Sequence, residues 1–138
     1  MVHLVCGHSG TGKTRRMIEM ANNAIDKIQG RMVFLEANNR HIFDLDYRIR
    51  YINTKEFGLT NEDEFQGFLC GVIATDYDIE QVYIDGLYKI TKSEKEKLEA
   101  LIERLDYLSK TFDVNFIISV NHDIEDIPEG LRDRVISY

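Results

Sequence analysis

The chain has 138 residues, a length that fits one domain. Its 43% apolar and 30% charged residues, single proline and absent tryptophan exclude a disordered, collagen-like or disulfide-stapled chain. A formal charge of −7 works against broad attraction to DNA or RNA backbones, and no apolar run approaches the roughly 18 residues of a membrane span. Cys6 and Cys70 have neither metal-ligand nor disulfide spacing, and the apolar run at the N-terminus is too short for a secretory signal. A single-domain, soluble, cytoplasmic protein with reduced thiols is expected, without a membrane or nucleic-acid partner.

Val2–Cys6 reads as a short buried strand that ends at a glycine. From Lys13 onward, Met17, Met20, Ala21, Ala24, Ile25 and Ile28 recur at helical spacing, and Gly30 stands where a left-handed C-terminal cap is wanted. Met32–Leu35 is a second strand, closed by Glu36. Then Phe43, Leu45, Tyr47, Ile49 and Tyr51 alternate with Asp44, Asp46, Arg48 and Arg50, predicting a half-exposed edge strand or two short strands. Asn61 with Glu64 opens a helix carrying Phe65, Phe68, Leu69, Val72 and Ile73. Val82–Asp85 is a third strand. Ser93 with Glu96 has capping-box spacing ahead of Leu98, Leu101, Ile102, Leu105 and Leu108, and the mixed run Lys92–Lys97 reads as a solvated helix face. Phe116–Val120 is a fourth strand, and Arg134–Tyr138 is a candidate for the last. Strands alternating with helices predict a three-layer α/β/α sandwich on a mostly parallel sheet of about five strands. Residues 1–138 then form one nucleotide-binding domain.

That the ligand is a nucleotide follows from the loop Gly7-His8-Ser9-Gly10-Thr11-Gly12-Lys13-Thr14, which matches G-x-x-x-x-G-K-[ST] at every fixed position. Glycines let backbone N–H groups turn inward as an anion nest, and the helix that follows presents its positive end to the same phosphates. The Lys13 ammonium suits the β- and γ-phosphates, and the Thr14 hydroxyl suits Mg²⁺. A second carboxylate for the metal belongs at the tip of a neighbouring strand. Asp85, closing Val82–Ile84 and followed by Gly86, fits that place better than Asp44 or Asp46.

These features resemble the P-loop NTPases and, within them, the RecA-like ATPases. The general resemblance rests on the GHSGTGKT loop and on VYIDG, the finer one on VFLE and FIISVN. It implies that Glu36 is the catalytic glutamate at the end of the strand after the loop helix, and that Ser119 or Asn121 senses the γ-phosphate. Only 17 residues follow Asn121, several of them acidic, so the resemblance is to the ATPase core and not to DNA-strand exchange. A GTPase fits poorly, since Tyr88 stands where glycine is wanted and no late N/T-K-x-D follows.

The expectation is Mg²⁺-dependent ATP binding and hydrolysis, with Lys13, Glu36 and Asn121 catalytic and Thr14 and Asp85 on the metal. Two alternatives stay open. One is a small-molecule kinase using Arg132 and Arg134 as a lid; the other is a nucleotide-binding regulator with little hydrolysis. A homo-oligomer or another protein partner is compatible with each. Glu36 also reads as a plain strand-end carboxylate, and the two arginines as partners of Glu129 and Asp133. His3, His8, His41 and His122 have no zinc spacing. Asn38–His41 stand at the carboxyl end of the sheet, where open α/β folds bind ligands.

Overall fold

The structure is a computed structural model that describes residues 1–8 and 10–136. It contains β1 (Val2–Cys6), α1 (Lys13–Ala24), β2 (Arg31–Glu36), β3 (Arg50–Asn53), α2 (Glu62–Ala74), β4 (Ile79–Asp85), α3 (Leu87–Thr91), α4 (Leu98–Phe112) and β5 (Asn115–Val120). The strands form one five-stranded sheet in the order β1-β5-β4-β2-β3, and every pairing is parallel. This is the three-layer α/β/α sandwich expected.

Two directions of travel build it. From β1 the chain crosses to β2 and on to β3, and its connections cover one face. There Met17, Ile18, Ala21 and Ile25 of α1, with Leu45 and Ile49, pack on Val5, Met32, Phe34, Tyr83 and Ile117. From β3 it returns through β4 to β5, and α2, α3 and α4 cover the other face. Phe65, Leu69, Leu87, Ile90, Leu101 and Leu105 meet Leu4, Val33, Leu35, Val82, Ile84 and Ile118 there. Right-handed crossovers must change face when they change direction. The neighbours β2 and β4 therefore send their chains to opposite sides, which opens a crevice at their carboxyl ends.

The α2 start is as the sequence predicts. Asn61 Oδ1 accepts from the Glu64 N–H at 2.9 Å, while Glu64 reaches back to the Thr60 N–H at 2.8 Å.

Several local expectations are corrected. The alternating stretch is not a strand before Arg50. Leu45 and Ile49 are buried, whereas Phe43 is 97% and Tyr47 92% exposed, so its period is nearer four than two. Turns win because side chains take the backbone groups. Asn22 bonds the Asp44 carbonyl and the Asp46 N–H, each at 2.9 Å, and Asp46 accepts from the Arg48 N–H at 2.9 Å. Asp46 is committed to Arg48, whose guanidinium and backbone N–H hold its carboxyl down to about 2.

Gly30 is not a left-handed cap, because α1 ends at Ala24. It is needed because β2 enters against the 78–80 turn, where a Cβ would collide with the Asp78 carbonyl. Ser93 caps no helix. Its hydroxyl goes to Glu62 at 3.1 Å, and Lys95–Lys97 form a 3-10 turn before α4. The run Lys92–Lys97 is therefore loop and not a helix face. Glu129–Arg134 is a 3-10 segment, and among the described residues Val135 forms an isolated parallel bridge with Leu4 of β1. The end of that candidate strand, Ser137–Tyr138, lies outside the described residues.

Candidate functional site

The loop between β1 and α1 is anchored where it leaves β1. The Gly7 N–H donates to the His122 carbonyl at 2.8 Å, and His8 Nε2 meets Asp123 at 2.8 Å. Gly12, the residue before α1, sits at φ 87°, a left-handed conformation that costs other residues about 1–2 kcal/mol. The Lys13 ammonium donates to the His8 carbonyl at 2.8 Å, and Thr11 Oγ1 to the same oxygen at 2.6 Å. Burial lowers the Lys13 pKa, and the positive charge of Lys89 lowers it further against the opposing pull of Asp85. The first turn of α1 has no acidic residue, whereas that of α2 has Glu62, Asp63 and Glu64. The first turn of α1 thus carries no carboxylate of its own, and the one that faces it is Asp85, through Thr14.

At the tip of β4, Asp85 is 7% exposed and fully engaged. Thr14 Oγ1 donates to its Oδ2 at 2.9 Å, and Ser119 Oγ to its Oδ1 at 2.7 Å. Ser119 accepts in turn from the Gly86 N–H at 2.7 Å. Residues 71 apart are joined by the first of these bonds, because the ends of β1 and β4 flank β5.

Glu36 ends β2 in register with Asp85 and is 4% exposed. The Tyr51 hydroxyl donates to its Oε1 at 2.6 Å, and His41 Nδ1 lies 3.0 Å from Oε1 and 3.1 Å from Oε2. Burial raises the Glu36 pKa, the bonds from Tyr51 and His41 pull it back, and Asp85 beside it raises it again. Burial and the Glu36 carboxylate together push the Tyr51 hydroxyl well above the normal phenol range, so it stays a donor.

These groups line one cleft of about 1040 Å³ over the β2/β4 crevice. Gly10, Gly12, Lys13, Thr14, Glu36, Asp85, Ser119 and Asn121 are all on its wall, together with Arg40, His41, Lys89, Lys92 and Lys95. Gly7, His8 and Thr11 belong to the loop but not to that wall, and Ser9 lies outside the described residues. Arg132 and Arg134 are elsewhere. Arg134 makes a two-pronged pair with Asp106 at 2.6 and 2.7 Å, while Arg132 bonds the carbonyls of Ile127 and Glu125. Cys6 is half-buried, and burial pushes its thiol up to about 11, which removes it as a nucleophile.

Tyr51, Lys89 and the pairing of His41 with Glu36 were not legible as site features. Tyr51 was one member of an alternating stripe, and Lys89 followed Asp85-Gly86 without a motif. Only His41 had a pointer, its place just after β2.

Thr14 and Asp85 offer hard oxygen donors side by side at the cleft floor. Among the described residues no group of three or more His, Cys, Asp and Glu forms a metal cage. That donor set fits Mg²⁺, which keeps waters and takes phosphate oxygens beside one or two protein ligands.

A solved structure similar over nearly the whole chain is that of a KaiC-like protein from the hyperthermophilic archaeon Pyrococcus horikoshii OT3. The match has a TM-score of 0.67 and covers 96% of this chain and 67% of that one. The fold is RecA-like. At 16% identity the likeness is one of fold alone. No protein-family model and no curated protein matches the chain. Among the described residues, no helix is long and apolar enough to cross a membrane.

Proposed function

We propose that this chain binds ATP with Mg²⁺ and hydrolyses it. The observation that carries the reading is the 2.9 Å contact of Thr14 with Asp85 on the floor of the cleft that Lys13 lines. A lysine and a hydroxyl at the start of a helix, with a carboxylate against the hydroxyl, are the parts a metal-bound triphosphate needs. The positive end of α1 and the lysines at residues 89, 92 and 95 supply charge for the same anion. Thr14 and Asp85 would hold Mg²⁺, which when bound neutralises charge on the β- and γ-phosphates. Glu36, one strand over, adds a carboxylate on the side of the cleft where water would be activated, and Asn121 lies on the same wall. ATP in preference to GTP rests on the missing guanine motif.

Hydrolysis is favoured over transfer to a small acceptor by where Arg132 and Arg134 lie. A kinase lid was to come from Arg132 and Arg134, and both are committed away from the cleft. The test is calorimetric titration of ATP with and without Mg²⁺, followed by phosphate release with no acceptor present. Saturable Mg²⁺-dependent binding that Lys13→Ala abolishes, with acceptor-independent release, is the expected result. ATP consumption that requires an added acceptor would transfer the reading to a kinase.

A further inference from the structure

Glu36 is an awkward base for water. Its Oε1 already accepts from Tyr51 and lies 3.0 Å from His41 Nδ1, its Oε2 lies 3.1 Å from the same nitrogen, and Asp85 stands beside the carboxyl group. Only 5% of its side chain is exposed, against 27% for His41. The imidazole thus covers the carboxylate and lines the cleft itself. With Nδ1 turned to Glu36, the other ring nitrogen, Nε2, bonds no described residue. A carboxylate that accepts from Nδ1–H fixes the tautomer whose Nε2 lone pair is free. The ring is held in place as well. Tyr51 Oη reaches the Asn38 carbonyl at 2.8 Å, the Arg40 N–H bonds Asn38 Oδ1 at 2.9 Å, and the His41 carbonyl accepts from the Asp44 N–H at 3.0 Å.

We infer that His41 is the general base of the cleft, with Glu36 the positioning residue behind it. This inference rests on the hydrolysis proposed above. Nε2 takes a proton from water as the water oxygen bonds to the γ-phosphorus. The bond from that phosphorus to the β–γ bridging oxygen breaks, its electron pair leaving with ADP. Glu36 holds the imidazolium through Nδ1–H until the proton returns to solvent after release of phosphate.

Asn at position 41 places an amide N–H near the position of Nδ1 and has no base. His41→Asn is therefore expected to keep ATP affinity within about 3-fold and lose turnover by 10²–10⁴, the usual worth of a general base. His41→Gly is expected to lose as much, and added imidazole to restore turnover along a saturating curve. Turnover of His41→Asn within about 3-fold of the parent, or no rescue of His41→Gly by imidazole, overturns the dyad and leaves the ATPase reading standing. A parent that binds Mg²⁺–ATP but turns none over also overturns the dyad. A parent that fails to bind it removes the reading beneath.

Discussion

Ser119 or Asn121 was the residue expected to sense the γ-phosphate, and in the structure the Ser119 hydroxyl braces Asp85. Ser119→Ala tests which role it has. The hydroxyl is 1% exposed, donates to Asp85 Oδ1 at 2.7 Å and accepts from the Gly86 N–H at 2.7 Å. Losing a hydrogen bond to a charged group costs about 1.5–3 kcal/mol, and an N–H left without its acceptor about 1–3 kcal/mol. The two overlap, because they share one atom, and Gly86 is only half-buried, so about 2–4 kcal/mol in total is expected. In a chain of this length that is roughly 6–15 °C of melting temperature. The assay is urea unfolding without nucleotide, followed by far-UV circular dichroism, with the slope required to match the parent. Unfolding free energy within about 0.5 kcal/mol of the parent would refute the strut, the more so if ATP affinity alone fell.

Lys13→Ala should abolish the thermal shift caused by ATP while moving the nucleotide-free melting temperature by no more than about 2 °C, because the ammonium makes only an exposed bond to the His8 carbonyl. Asp85→Asn should weaken ATP binding about 10–100-fold with Mg²⁺ present and little in its absence; equal losses by calorimetry in both conditions would mean a folding role. Glu36→Gln should leave the Kd for ATP nearly unchanged and cut turnover by 10²–10⁴, about 3–5 kcal/mol of barrier, in phosphate-release assays run at high protein concentration. Parent-like turnover in that variant would remove Glu36 from the chemistry.

By itself the sequence determined the parts that are written contiguously. The loop from Gly7 to Thr14, the strands on either side of α1 and the aspartate that ends β4 follow from local rules. These are glycine's access to positive φ, apolar runs buried on both faces, and helical spacing on α1, α2 and α4. They sufficed for the fold class, since strands alternating with helices leave little beyond a parallel sheet covered on both sides. The joining of Thr14 to Asp85 was also foreseeable, because the loop that follows β1 and the end of β4 both lie at the carboxyl edge of one sheet.

Only the tertiary structure decided what each polar group does. Tyr51 reached Glu36 because β3 pairs with β2, a register that no local pattern encodes. Arg134 went to Asp106 on α4 and not to a phosphate, since the 3-10 segment Glu129–Arg134 places it by the Val2 carbonyl, at the opposite end of β1 from the loop. The stretch from Phe43 to Tyr51 misled for a local reason: its alternation was real, but Asn22 from α1 and Asp46 took the backbone groups a strand would have paired. Periodicity reports which residues can share a face, while competition for hydrogen bonds, often with a residue far away in the chain, decides whether that face forms.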